Sequence, residues 1–232
     1  MIATVIQGKT YAEILSLLDD PWVELAEIRL DLCPLSDAEI EDLFSNTDTP
    51  LIATCRANWG VAVAAEGGAS KTAENASALS PEVAAGANSA LSASGISPAE
   101  AERRMTIAIQ AGARYADLEI EAEAGWSKRF RDLCHDYGVE IIRSWHDFSG
   151  TPSPDYLRQI QARCYRYGAD IAKIVTTASC PADCETVLSL YSNAGTCRPV
   201  ARQVPRMLLA ARRRTRGVLH RRRAARHWNR AA

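Results

Sequence analysis

The amino-acid sequence predicts an α/β protein built on a parallel sheet that helices cover. Short runs of apolar or β-branched residues recur at 2–6, 25–30, 51–55, 115–120, 140–145 and 170–175, at lengths suited to buried strands. Longer helix-like stretches follow each of them, at 10–18, 36–44, 98–110, 126–137, 153–167 and 181–191. Regular alternation of the two kinds gives successive βα units, and such units pair their strands in parallel. Eight units would close a barrel.

Local chemistry supports the elements in turn. The first strand opens the chain as Met1-Ile-Ala-Thr-Val-Ile6. The second helix starts at Ser36-Asp-Ala-Glu39, and the third at Ser97-Pro-Ala-Glu100. Both have the capping-box form, in which a hydroxyl and a carboxylate satisfy backbone donors reciprocally, and Pro98 suits a first helical position. The fifth strand runs Glu140-Ile-Ile-Arg-Ser-Trp145 into His146, and the sixth is Asp170-Ile-Ala-Lys173-Ile-Val175. The helix at 153–167 lies between them, so one strand-helix-strand step separates His146 from Lys173.

These two residues carry the chemical reading. Lys173 stands among Ile171, Ala172, Ile174 and Val175, and apolar surroundings favour the free amine that attacks a carbonyl. The plainer alternative is a stem packed in the strand with its head at the rim. A histidine alone at a strand end is often a hydrogen-bonded rim residue, yet beside an amine nucleophile it supplies the missing proton carrier.

Composition bounds the rest. At 232 residues with 47% apolar content, the chain fits one large domain or two small ones with a substantial core. The sequence has no apolar run of membrane-spanning length and no basic leader at its start, so a cytoplasmic protein without membrane association is expected. Seven cysteines at 33, 55, 134, 164, 180, 184 and 197 suit free buried thiols better than a disulfide framework. Cys180 and Cys184 lack a second ligand pair at zinc-site spacing, so no metal is expected.

The net charge of −1 hides an asymmetry. Residues 198–232 hold 12 arginines and no acid, leaving 15 basic against 28 acidic side chains before them. Residues 62–97 are rich in Ala, Ser, Gly and Asn, too poor in large apolar side chains to bury much surface. They read as an excursion from the third βα loop, an inserted segment rather than a lid.

Taken together, Glu27-Ile-Arg29-Leu-Asp31, Ala53-Thr-Cys-Arg56, Asp117-Leu-Glu119, Ser144-Trp-His146-Asp-Phe148 with Thr151-Pro152, and Gly168-Ala-Asp-Ile-Ala-Lys173 resemble type I 3-dehydroquinate dehydratase. Each motif is weak alone; five in order at successive strand ends are specific. The resemblance covers residues 1–196, apart from the 62–97 stretch. It implies a (β/α)8 TIM barrel and the cofactor-free cis-dehydration of 3-dehydroquinate to 3-dehydroshikimate, in the pathway to chorismate and the aromatic amino acids.

On that reading Lys173 forms a Schiff base that acts as electron sink, and His146 moves the proton. Glu119 holds the imidazole in its useful tautomer, the alternative being a rim carboxylate paired with an arginine. Glu27, Arg29 and Arg56 form the substrate clamp, since a hydroxylated ring carboxylate needs planar multidentate donors and a hydrogen-bond acceptor. For Arg56 the match is looser, because the family's following Gly-Gly pair stands displaced at Gly67-Gly68. The expected partner is the small substrate, with no specific nucleic acid and a homodimer left open.

After residue 196 the family pattern stops. The seventh- and eighth-strand motifs are missing or scrambled, among them an arginine that grips the substrate carboxylate, and 197–232 is expected to be a disordered Arg-rich tail. Such composition arises when a GC-rich coding sequence is read in a wrong frame, which points to a frameshift near residues 197–199. Three competing readings stand beside the dehydratase: another lysine-imine barrel such as a class I aldolase, a catalytically dead barrel remnant, and a nucleic-acid-binding tail. The last lacks interleaved aromatics, having only Trp228.

Overall fold

The computed structural model describes residues 3–57, 95–192 and 206–213. In chain order these are β1 Thr4–Ile6, α1 Tyr11–Leu18, β2 Ala26–Arg29, α2 Asp37–Ser45, β3 Leu51–Thr54, α3 Pro98–Gln110, β4 Tyr115–Glu119, α4 Ala124–Asp136, β5 Glu140–Asp147, α5 Pro154–Arg166, β6 Ile171–Ala178, α6 Pro181–Ser192 and β7 Arg206–Arg213. The strands form one sheet in sequence order, β1 through β7, every pairing parallel.

The helix starts follow the sequence chemistry. At α2 the Ser36 hydroxyl accepts from the Glu39 amide, while the Glu39 carboxylate accepts from the Ser36 amide at 2.8 Å. At α3 only half of the expected box forms. Ser97 accepts from the Glu100 amide, but the Glu100 carboxylate turns to Arg103 and Arg104 at 2.7 Å each. Three charge-assisted bonds from the two arginines outcompete one backbone donor.

Alternation along the strands sorts side chains into two layers. Outward residues such as Ile28, Ala53 and Leu118 pack with the helices in the main core, joined by Ile14, Ile40, Met105 and Phe130. A second cluster under α5 and α6 gathers Trp145, Leu157, Ile160, Ile174 and Leu190. Inward, Leu25, Ile52, Ile142 and Ile171 form a small apolar floor with Ala3 and Tyr115 at its margin. The residues two positions further along β2 to β6 are Glu27, Thr54, Asp117, Ser144 and Lys173, and two positions further again come Arg29, Arg56, Glu119, His146 and Val175. A polar layer thus stands above the floor at the carboxyl ends of the strands, where βα barrels carry their sites.

Two expectations need correction. β5 and β6 each run eight residues and stay paired as far as Asp147 and Thr176. His146 therefore lies within a strand rather than beyond its end, and β6 extends past Val175. The tail also contributes a strand, because β7 pairs with β6 from Ile171↔Arg206 to Ala178↔Arg213. Met207-Leu-Leu-Ala-Ala211 is an apolar run of strand length that its flanking arginines disguise. Among the described residues no eighth strand joins β7 to β1, and Val5, in register with Glu27, stays 54% exposed. The 62–94 part of the low-complexity stretch, the region of the suggested frameshift and the tail beyond residue 213 lie outside the described residues.

Candidate active site

The polar layer is a connected network around Lys173. Its ammonium donates to both oxygens of Glu27, at 2.8 and 2.9 Å, and to Asp117 Oδ2 at 3.0 Å. All three N–H donors of a lysine are used in such a cage. The surroundings are nearly dry: the side chains of Lys173, Glu27 and Asp117 are 13%, 7% and 0% exposed. The Thr54 hydroxyl donates to Glu27 Oε1 at 3.0 Å and fixes that carboxylate from the next strand.

Asp117 Oδ2 is shared. It also accepts from Arg56 at 3.0 Å, and Arg56 reaches the Ser144 hydroxyl at 2.8 Å and Glu119 at 3.3 Å. Burial opposes the charge of Asp117, but Arg56 and Lys173 hold its carboxyl well below the usual carboxylate range. Burial likewise opposes the charge of Arg56, and Asp117 and Glu119 more than compensate, raising its pKa above the ordinary arginine value. Desolvated charges persist here because each has partners of opposite sign.

His146 completes the network. Its Nε2 lies 3.4 Å from Arg56, its Nδ1 lies 3.8 Å from Glu119, and its ring stacks on Phe148 at 5.8 Å. Burial first, then the Arg56 guanidinium, holds the imidazole well below its ordinary pKa of 6.5. A guanidinium can only donate, so its neighbour Nε2 bears the lone pair and Nδ1 the proton. That is a neutral base whose acceptor nitrogen faces Arg56.

The structure brings Lys173, His146, Glu119, Glu27 and Arg56 into this one network. Arg29 stands on the same face of β2 and pairs with Asp31 through two bonds of 2.9 and 2.6 Å. Glu119 faces His146 at ion-pair spacing, beyond hydrogen-bond reach, and is closer to Arg56. Asp117 and Thr54 stand within the sequence motifs but carry no role in the sequence reading. The signal lay in the two-residue spacing: each precedes a marked site residue, Glu119 or Arg56, by one strand repeat.

Cysteines stand apart from this chemistry. Among the described residues all are free thiols, and burial pushes Cys55, Cys134 and Cys164 up to about 12. No helix among the described residues is long and apolar enough to cross a membrane.

A parallel βα sheet in sequence order, with a caged lysine and a neutral histidine at its carboxyl face, defines a barrel-type α/β protein with a polar site where barrel enzymes do their chemistry. The chain belongs to the type I 3-dehydroquinase family, whose model matches residues 2–202. The 3-dehydroquinate dehydratase of Desulfotalea psychrophila is 29% identical over 172 residues, which are 74% of this chain and 62% of that protein. The chain thus spans less than two thirds of that relative's length. In fold it resembles the type I enzyme from Clostridium difficile, with a TM-score of 0.65 at 18% identity over 90% of this chain and 74% of that one. The enzyme from Geobacillus kaustophilus gives 0.64 at 19% identity, over 90% and 72%.

Proposed function

We propose that this chain carries the dehydratase chemistry of its family, converting 3-dehydroquinate to 3-dehydroshikimate in the pathway to chorismate. The observation that supports it best is the linked set Lys173–Asp117–Arg56–His146, an amine and a neutral base on adjacent strands joined through one shared carboxylate and one guanidinium.

The roles follow from the chemistry. Lys173 gives up a proton to a neighbouring carboxylate, attacks the ring carbonyl, and forms an iminium as water leaves. The iminium withdraws electrons from the adjacent carbon, so His146 Nε2 takes its proton and leaves an enamine. The enamine expels the β-hydroxyl, which departs as water with the proton that His146 holds. Hydrolysis then returns the amine of Lys173. Glu27 accepts from ring hydroxyls, Arg29 and Arg56 donate to ring oxygens, and Glu119 steadies the charge that His146 acquires.

With His146 neutral, Arg29, Arg56 and Lys173 oppose Glu27, Asp31, Asp117 and Glu119, one more anion than cations. Such a cluster suits carbonyl and hydroxyl groups, and the substrate carboxylate needs a further cation beyond it. A second reading, an inactive relative, draws on the lack, among the described residues, of a strand between β7 and β1 and on the exposure of Val5.

Incubating the full chain with 3-dehydroquinate and following the conjugated enone product by ultraviolet absorbance separates the two. Turnover that His146→Ala abolishes supports the dehydratase; a folded chain with no turnover supports the inactive relative. A ring-cleaved product would instead indicate aldolase chemistry.

A further inference from the structure

We infer that Asp31 is a positioning residue for substrate selection, acting through Arg29 without touching substrate itself. The inference rests on the dehydratase reading above. Arg29 ends β2, and Asp31 lies two residues on, where the chain turns. The backbone there is fixed on several sides: the amides of Leu32 and Cys33 both bond the Arg29 carbonyl at 2.9 Å, and the Leu30 amide bonds the Thr54 carbonyl at 2.8 Å. Asp31 is therefore a rigid point beside a long, flexible side chain.

The pairing is a parallel fork. Arg29 Nε donates to Oδ1 at 2.9 Å and its terminal NH2 to Oδ2 at 2.6 Å, with the Asp31 side chain 0% exposed and that of Arg29 20%. This geometry aligns the guanidinium plane with the carboxylate and leaves three N–H donors for a ligand. It has two consequences. Arg29 is charge-balanced, so it offers oriented donors that suit a neutral hydroxyl better than a second carboxylate. Arg29 is also kept from Glu27, one strand repeat away, which stays with Lys173.

Removing the carboxylate charge therefore weakens recognition of the ring and leaves the reacting centre alone. Asp31→Asn is expected to raise KM for 3-dehydroquinate on the order of tenfold with kcat within about twofold, the signature of lost uniform binding. In an Arg29→Ala background the same substitution is expected to change KM no further, because its effect passes through Arg29. An unchanged KM in Asp31→Asn, or an equal rise with and without Arg29, overturns the inference. A fall in kcat alone overturns it too. If Asp31→Asn does not fold, Asp31→Glu carries the same expectation, since one added methylene displaces the fork. Wild-type chain that neither turns over nor forms a borohydride-reducible adduct removes the dehydratase reading and this inference with it; an active wild type with any contrary result removes this inference alone.

Discussion

Lys173 Nζ sits 2.8 Å from Glu27 Oε1 and 2.9 Å from Oε2, although 146 residues separate the two in the chain. The sequence suggested different duties for them, a nucleophile and a substrate clamp. Their contact couples the duties, because a ring hydroxyl that takes Glu27 as acceptor competes with the ammonium for it. Asp117 then remains as the second anchor of the lysine.

The two carboxylates should differ in what their loss costs. Removing one partner from a buried pair costs about 3 to 5 kcal/mol when the remaining charge is stranded. Glu27→Gln leaves Lys173 with Asp117, whereas Asp117→Asn weakens the pairing of Lys173 and Arg56 at once. We expect both to lower kcat/KM at least about a hundredfold, and Asp117→Asn to lower the thermal midpoint more. Equal midpoints would show that Asp117 does not bridge the two cations.

The pH dependence follows from His146. Its folded pKa lies well below 6.5, so near neutrality it is an uncharged base, and the acid limb of kcat/KM should fall below that value. Between pH 6.5 and the folded pKa the unfolded chain takes up a proton that the folded chain refuses. Stability is accordingly lost as pH falls through this window. Arg56→Gln removes a positive neighbour and should move the ring titration upward, read by nuclear magnetic resonance of the imidazole protons. A downward shift would contradict the assigned cause.

A buried arginine offers a test away from the site. Arg143 is 1% exposed and lies 5.3 Å from the Phe130 ring; among the described residues it bonds the Ser127 carbonyl at 3.2 Å, while its Nε and one terminal nitrogen find no hydrogen-bond partner there. Two orphan donors cost about 1 to 3 kcal/mol each, against about 1.5 to 3 for a charged hydrogen bond and up to about 2 for the ring contact. Arg143→Met should therefore leave the chain as stable or more stable by about 1 kcal/mol, measured by urea unfolding. A loss above about 3 kcal/mol would mean that the guanidinium has partners this balance omits.

Much of this site was legible because strands impose a period of two. Glu27 with Arg29 and Ser144 with His146 were readable as pairs, and the same repeat places Thr54 and Asp117 on that face. What the sequence did not reveal was which pairs meet across strands. The contact between Lys173 and Asp117 depends on the stagger of three parallel strands, which local residues do not encode. β7 was missed for a compositional reason: arginines on both sides of Met207–Ala211 hide an apolar strand within a basic tail. β5 and β6 outrun their apolar sequence runs because pairing with the next strand, rather than propensity, prolongs them.

Whether Lys173 is the nucleophile is tested by incubating the full chain with 3-dehydroquinate, reducing with borohydride and locating the adduct by peptide mass spectrometry. A substrate-derived mass is expected on the peptide containing Lys173 and not in Lys173→Met. A folded chain that turns over substrate yet carries no label on Lys173 would contradict that role.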